Sequence, residues 1–252
     1  MTSWVEDHGS IEAISPVDAT VIRLDIRAPG VARSIRPGQF VMLRPPESPW
    51  LPRAMAPVNW NKTQGVLSFY VRILGPGTQF FQHLTPGASV LVTGPLGQPI
   101  LLDHGPWALI GRGVGTTPLL PIAQVLAQQG EEVRTYLSAR TRNLVIEPHA
   151  FETSGSVYLH TDATDLGGLV TDSFVADLQA GWRPRQVLVS GSHRLQQVVW
   201  QQSHRWSFHA AVFVEEKMAC GLGWCKGCAI GRHWQLLCIE GPTLPLDEVM
   251  SS

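Results

Sequence analysis

Two different periodicities divide the chain. Up to residue 100, apolar and polar positions alternate in short runs. Val21–Arg27 reads V-I-R-L-D-I-R, which places one strand face in a core and the other in water. Gln39–Arg44 follows the turn Pro37-Gly38, Val66–Ile73 reads as a strand, and Ser89–Thr93 follows Pro86-Gly87. Short strands with Gly/Pro punctuation predict an antiparallel β-barrel. One short helix is expected over Thr78–Leu84. After Pro106 the pattern changes to apolar strands separated by helical stretches. The strands are Trp107–Ile110, Val133–Ser138, Val157–His160, Val187–Val189 and Ala210–Val214. The helices are Thr117–Gln129, Thr171–Ala180 and Ser192–Ser203, with Pro118 in the first turn, Gly130 as a stop, and Thr171 and Ser192 as expected N-caps. Strand–helix alternation of this kind predicts a parallel sheet. The remaining residues show little regular pattern. A multidomain α+β chain follows: an antiparallel β-barrel over 1–100, an α/β parallel-sheet domain over 101–213 and a small C-terminal domain over 214–252.

The C-terminal region holds all four cysteines. Cys220, Cys225, Cys228 and Cys238 are spaced C-x4-C-x2-C-x9-C, close to the plant-type pattern in which thiolates hold a 2Fe–2S cluster. Gly221, Gly223 and Gly227 lie between them and permit the backbone angles of a loop bent around two irons. A structural zinc site is the alternative, although four-cysteine zinc sites usually carry two C-x2-C knuckles and only one is present. Disulfides are a third reading. They fit poorly, because the N-terminus M-T-S-W-V-E-D-H-G has neither a basic nor an apolar leader segment. No apolar run approaches a membrane span. A cytoplasmic protein without a membrane partner is expected, a compartment in which thiols stay reduced.

Composition adds two constraints. The net charge of −1 gives no electrostatic footprint for nucleic acid. Charged residues are 15% of the chain against a usual quarter or so, and there are nine tryptophans. Both a face buried against a partner chain and a large internal core account for this.

Further signals point to nucleotide chemistry. A-L-I-G-R-G-V-G-T-T-P-L-L follows a strand and opens a helix. Gly111, Gly113 and Gly115 let the backbone approach a phosphate, although the spacing is not the usual G-x-G-x-x-G and a ligand-free turn is the alternative. Upstream, Arg53 stands in L-P-R-A-M-A-P, and Arg72 in F-Y-V-R-I-L-G-P-G-T. Each is an ordinary surface charge taken alone; together they suit a pyrophosphate. Arg140 and Arg142 follow a strand of the second region, and no acidic residue immediately follows it to hold a ribose 2′-hydroxyl. These arginines are either a receptor for a 2′-phosphate or solvated loop charges. His193, His204, His209 and His233 show no metal spacing, and no nucleophile elbow or carboxylate pair is visible.

The order R-A-M-A, Y-V-R…G-T, G-x-G-x-G-x-x-P and E-E-K-M-A-C-G-L-G-W-C-K-G-C…C-x-E-G-P resembles the ferredoxin-NADP reductase superfamily. Within it the chain is similar to the electron-transfer subunits of NAD-dependent dihydroorotate dehydrogenases. P-G-Q-F at 37–40 and G-P-L-G at 94–97 extend the resemblance over nearly the whole length. It implies an FAD-binding barrel, an NAD-binding sheet domain and a 2Fe–2S domain docked on a catalytic FMN-containing dehydrogenase subunit, as a heterotetramer serving pyrimidine biosynthesis. By motif, Arg53, Ala54, Met55, Ala56, Tyr70, Val71, Arg72, Gly77 and Thr78 would line the flavin. Gly111, Gly113, Gly115 and Pro118 would form the nucleotide turn. The cofactors carry the chemistry, so no residue is expected to act as a general acid or base. Four departures stand out. Ala56 replaces a hydroxyl, Arg112 replaces a glycine, V-S-G-S at 189–192 replaces C-G-P, and the stretch from Cys225 to Cys238 is short. These keep two other readings open: a reductase subunit for a hydrogenase, sulfite reductase or ferredoxin, and a non-redox interaction subunit with a structural metal site.

Overall fold

The computed structural model describes residues 4–46, 51–162 and 169–250. The chain divides into two compact units. Residues 1–100 form the body of the first, joined by 216–230 and 235–242. The second takes 101–215, with 231–234 and 243–252. The 214–252 region of the sequence reading is therefore shared between the two units.

In the first unit the elements are β1 (Val5–Pro16), β2 (Val21–Arg27), α1 (Pro29–Ala32), β3 (Phe40–Arg44), β4 (Arg53–Met55), β5 (Asn59–Asn61), β6 (Val66–Arg72), α2 (Pro76–Gln82) and β7 (Ser89–Leu96). The strands pair in the order β4-β3-β7-β1-β2-β6-β5, all antiparallel. Alternate side chains of β2 (Ile22, Leu24, Ile26), β3 (Val41, Leu43), β6 (Leu67, Phe69, Val71) and β7 (Val90, Val92) enter one shared core. One core fed by strands this far apart in the order requires the sheet to curl around it. Full burial of each such side chain contributes about 1.5–3 kcal/mol.

β1 lies between β7 and β2 yet was invisible in the sequence. Among its residues only Gly9 and Ile11 are fully buried, and a register shift between Ile11 and Ala13 breaks its alternation. A Cβ on Gly9 would stand 2.8 Å from the Arg27 carbonyl oxygen, so the glycine serves close strand packing. α2 begins two residues before the expected Thr78, with Pro76 in its first turn.

The second unit carries β8 (Trp107–Arg112), α3 (Leu119–Gln128), β9 (Val133–Ala139), α4 (Pro148–Glu152), β10 (Ser156–Thr161), α5 (Val170–Gln179), β11 (Gln186–Ser190), α6 (His193–Trp206) and β12 (His209–Phe213). β8 to β12 pair in parallel in the order β10-β9-β8-β11-β12. Central β8 is buried from Trp107 to Gly111, as expected of a strand covered on both faces. Thr171 is not the N-cap of α5. That position belongs to Leu169, whose N–H donates to the Asp172 carboxylate at 2.8 Å. Ser192 does cap α6 in position, but its side chain makes no capping hydrogen bond.

The cysteine-bearing region holds more structure than expected. β13 (Ala229–Ile230) and β14 (Gln235–Leu236) form a small antiparallel ladder in the first unit. β15 (Thr243–Pro245) adds an antiparallel edge to β12 in the second unit, followed by α7 (Leu246–Met250). These pieces are too short to leave a periodicity.

Candidate functional site

The cysteine loop builds a thiolate environment from its backbone. Gly221 and Gly223 take φ of 71° and 79°, and Lys226 takes 59°. Alternating left-handed residues turn successive N–H groups inward, the geometry of an anion-binding nest. The Leu222 N–H reaches Cys220 Sγ at 3.4 Å, and the amides of Cys225 and Trp224 also donate to it. Burial pushes the Cys220 thiol up, but these hydrogen bonds outweigh it and bring it down to about 7. Cys238 accepts from the Gly223 N–H at 3.1 Å, and Cys228 Sγ lies 3.4 Å from Cys238 Sγ. Burial, followed by the neighbouring Cys228, pushes Cys238 up to about 12. The four thiols thus fall into two pairs: Cys220 with Cys225, which share a hydrogen bond near the surface, and Cys228 with Cys238, which are buried. Among the described residues no group of three or more His, Cys, Asp or Glu closes on one metal-ion position. Two thiol pairs with N–H···S support fit the four-thiolate donor set of a two-iron cluster.

This loop rests on the strand that neighbours the R-A-M-A motif. A Cβ on Gly221 would stand 2.6 Å from Met42 Cγ, so the loop packs directly on β3. Met42 is opposite Ala54 of β4 in the register. Gln98 fastens the loop's far end, donating from its N–H to the Gly241 carbonyl at 2.6 Å and from Nε2 to the Ile239 carbonyl at 2.9 Å.

The residues expected to line a flavin come together in part. The Arg53 guanidinium lies on Gly77: a Cβ there would be 1.7 Å from Arg53 Nη2, so a side chain at this position would displace the guanidinium. Arg53 Nη1 donates to the carbonyls of Leu51 (2.7 Å) and Pro52 (3.2 Å), which fixes its plane. Neither Arg53 nor exposed Arg72 has an ion-pair partner among the described residues. Both charges are available to a diphosphate. Tyr70 is half-buried, with the Arg23 guanidinium 6.0 Å from its ring centre. Ala54 and Ala56 are half-buried, and Met55 packs against the core. Two residues contribute less than the motif implied. The Val71 side chain is fully buried in the core, leaving only its main chain for a ligand. The Thr78 hydroxyl is occupied within its own turn by the Leu74 N–H (2.9 Å) and the Gly75 N–H (3.3 Å).

In the second unit the glycine turn forms a short 3-10 segment, Gly113–Thr116, before α3, with Pro118 at the helix N-cap. Each glycine has its own reason. A Cβ on Gly111 would be 2.8 Å from both Leu119 and Thr116. Gly113 has φ of 57°. A Cβ on Gly115 would be 2.9 Å from Glu215 Oε1. Beside this turn lies a cavity of about 460 Å³ at the C-terminal ends of the parallel strands. Arg112 closes β8, Ser138 lies near the end of β9, His160 and Thr161 end β10, and Ser192 and Arg194 follow β11. The chain runs from β8 outward to β10, then returns to β11 on the other side of β8. This reversal is the switch point at which open α/β sheets bind nucleotides. Gly111, Gly115 and Pro118 are themselves buried beneath the turn. Sequence reasoning missed Asp162 and Arg194, because a lone acid or base after a strand has no local signature.

The family model of the iron–sulfur cluster binding domain of dihydroorotate dehydrogenase B matches residues 215–250, and that of the oxidoreductase FAD-binding domain matches residues 10–99. The dihydroorotate dehydrogenase B (NAD(+)) electron transfer subunit of Desulforamulus reducens is 30% identical over 250 aligned positions, covering 94% of this chain and 95% of that one. Its counterpart in Listeria monocytogenes is 31% identical, covering 84% of this chain and 87% of that one. In fold, the chain matches the structure of an NADH-dependent reduced ferredoxin-NADP oxidoreductase with a TM-score of 0.87 at 24% identity, over 99% of this chain and 91% of the other.

Proposed function

From a chain that belongs to the family of dihydroorotate dehydrogenase B electron transfer subunits, we propose a relay that joins a catalytic FMN-containing dehydrogenase subunit to NAD in pyrimidine biosynthesis. The carrying observation is the seating of Gly221 on Met42, whose register partner is Ala54. The cysteine loop is thereby seated on β3, the strand beside the one that carries the flavin motif. FAD and a 2Fe–2S cluster, when bound, supply the change between one-electron and two-electron transfer.

The residues hold these groups in place. Cys220, Cys225, Cys228 and Cys238 provide four thiolates, and the amides of Leu222 and Gly223 tune two of the sulfurs through N–H···S bonds. Arg53 and Arg72 neutralise a diphosphate, the Arg53 guanidinium lying over Gly77. Tyr70 offers a ring face to the flavin side. In the second unit Arg112, Ser138, Ser192 and Arg194 surround the nicotinamide nucleotide, beneath which Gly111, Gly113 and Gly115 shape the turn. We read the curled sheet as the FAD-holding barrel and 214–252 as the cluster region in function, whichever unit packs each piece. We read the assembly as a cytoplasmic heterotetramer, a reading that family kinship supports. Among the described residues no helix is long and apolar enough to cross a membrane.

A reductase subunit for a different electron acceptor is the second reading, favoured by the missing hydroxyl at Ala56. Co-expression with the FMN subunit decides. Stable co-purification and NAD reduction driven by dihydroorotate support the proposal. A chain that binds FAD and iron but neither associates with that subunit nor transfers its electrons belongs to the second reading.

A further inference from the structure

Successive residues of β3 point to opposite faces of the curled sheet. Val41 and Leu43 enter the shared core; Met42 does not, yet it is only 2% exposed. The cysteine loop lies over it. A Cβ on Gly221 would stand 2.6 Å from Met42 Cγ, 3.1 Å from Met42 Sδ and 3.0 Å from Leu96 Cδ1. The bare backbone next to Cys220 therefore rests on these two side chains. Gly221 has φ of 71°, a conformation that glycine adopts without strain, so close seating and loop geometry ask for the same residue.

Met42 also adjoins the flavin motif. In the register it stands between Ala54 of β4 and Thr93 of β7, and residues opposite each other share a face. Met55, the next residue of β4, packs against the core, which leaves Ala54 on the face of Met42. Met42 has the longest side chain of this row. From Cys220 to the R-A-M-A strand the connection is thus short: one peptide unit, one van der Waals contact, and one side chain on a paired strand. Electron tunnelling falls off far more steeply across a gap than through packed atoms. A thioether is polarisable and flexible enough to fill such a seam.

We propose that Met42 is the bridge through which electrons pass between the cysteine loop and the flavin motif, and that it sets the rate of their exchange. This rests on the relay reading above, with FAD held at the R-A-M-A strand. NADH gives a hydride to FAD. The reduced flavin then loses electrons one at a time, each reducing the oxidised cluster, which passes it on before taking the next. The flavin protons go to solvent, and no bond forms or breaks at Met42.

The test uses the full chain loaded with both redox groups. Pulse radiolysis places single electrons on the anaerobic protein, and absorbance at two wavelengths follows their redistribution between flavin and cluster, so hydride transfer does not limit the rate. Flavin, iron and sulfide contents and both midpoint potentials are measured for each variant. Truncation leaves a gap that the surroundings close only in part. Met42→Ala, and the milder Met42→Val, should therefore slow the redistribution severalfold, with potentials unmoved and flavin reduction by NADH at the wild-type rate. Met42→Leu, close in volume, should restore most of the rate. If Met42→Ala sheds the cluster, Met42→Val carries the comparison. Redistribution as fast as wild type in the truncated variants, with contents intact, overturns the inference and leaves the relay standing. So does a slowing that a shifted potential accounts for in full. A wild type whose flavin and cluster exchange no electrons overturns the relay reading and this inference with it.

Discussion

Cys225 is the exposed member of the four thiols, so its replacement tests ligation with little disturbance of packing. Cys225→Ser should abolish or strongly perturb the iron–sulfur absorption while FAD stays bound, checked by iron, sulfide and flavin analysis of one preparation. Unaltered iron and sulfide would remove Cys225 from the ligand set. The cluster-free protein gives a second residue-scale test. Hydrogen bonds hold Cys220 down to about 7, and burial pushes Cys238 up to about 12. The thiolate is the reactive form. Alkylation of Cys220 by iodoacetamide should therefore rise as pH increases through about 7, while Cys238 stays unmodified across the neutral range. Mass spectrometry of the labelled peptides reads both at once, and equal labelling of the two would contradict the loop geometry. Arg53 is the third case. Its guanidinium lies on Gly77 and has no acidic partner among the described residues. Arg53→Ala should weaken FAD binding by about 1.5–3 kcal/mol, the scale of a hydrogen bond to a charged group. Flavin retention after gel filtration and the fluorescence of released FAD measure it.

At the scale of elements, the glycine turn separates packing from ligand binding. Gly111 is buried, and a Cβ there would press on Leu119 and Thr116 at 2.8 Å each. Gly111→Ala should cost about 1–3 kcal/mol by overpacking, read as a lower urea midpoint. A stability equal to wild type would mean that β8 and α3 yield more readily than their contacts imply. The elements that were legible beforehand share a cause. β2 and β6 have one face in the core and one toward solvent, and β8 is apolar throughout, so burial wrote itself into the residue pattern. β1 was not legible because just two of its residues, Gly9 and Ile11, are buried and a register shift interrupts its alternation. β15 was not legible because three residues cannot show a period, and its strand character comes from pairing with β12. The sites follow the same division. The cysteines, Arg53 and the glycine turn announce themselves by spacing. The burial of the Val71 side chain, the self-capping of Thr78 and the arrival of Asp162 beside Ala139 depend on the fold.

For the whole molecule, the division of labour follows from which residues share a unit. The cysteine loop leans on β3 through Gly221 and Met42, and Gln98 ties down its far end. Loop and flavin motif are thus held by one sheet, which suits electron transfer between two groups at fixed separation. The cavity proposed for the nucleotide is lined, among the described residues, by the second unit, at the reversal of strand order. In the proposed relay one chain carries both redox groups and connects them to a nicotinamide nucleotide. Anaerobic titration of the purified protein with NADH, followed by visible absorption and electron paramagnetic resonance, tests it most directly. A flavin band together with iron–sulfur absorption should be seen, both bleaching as NADH is added, with a reduced-cluster resonance that Cys225→Ser eliminates. A colourless zinc-containing protein, or flavin that bleaches while the cluster stays oxidised, would contradict it.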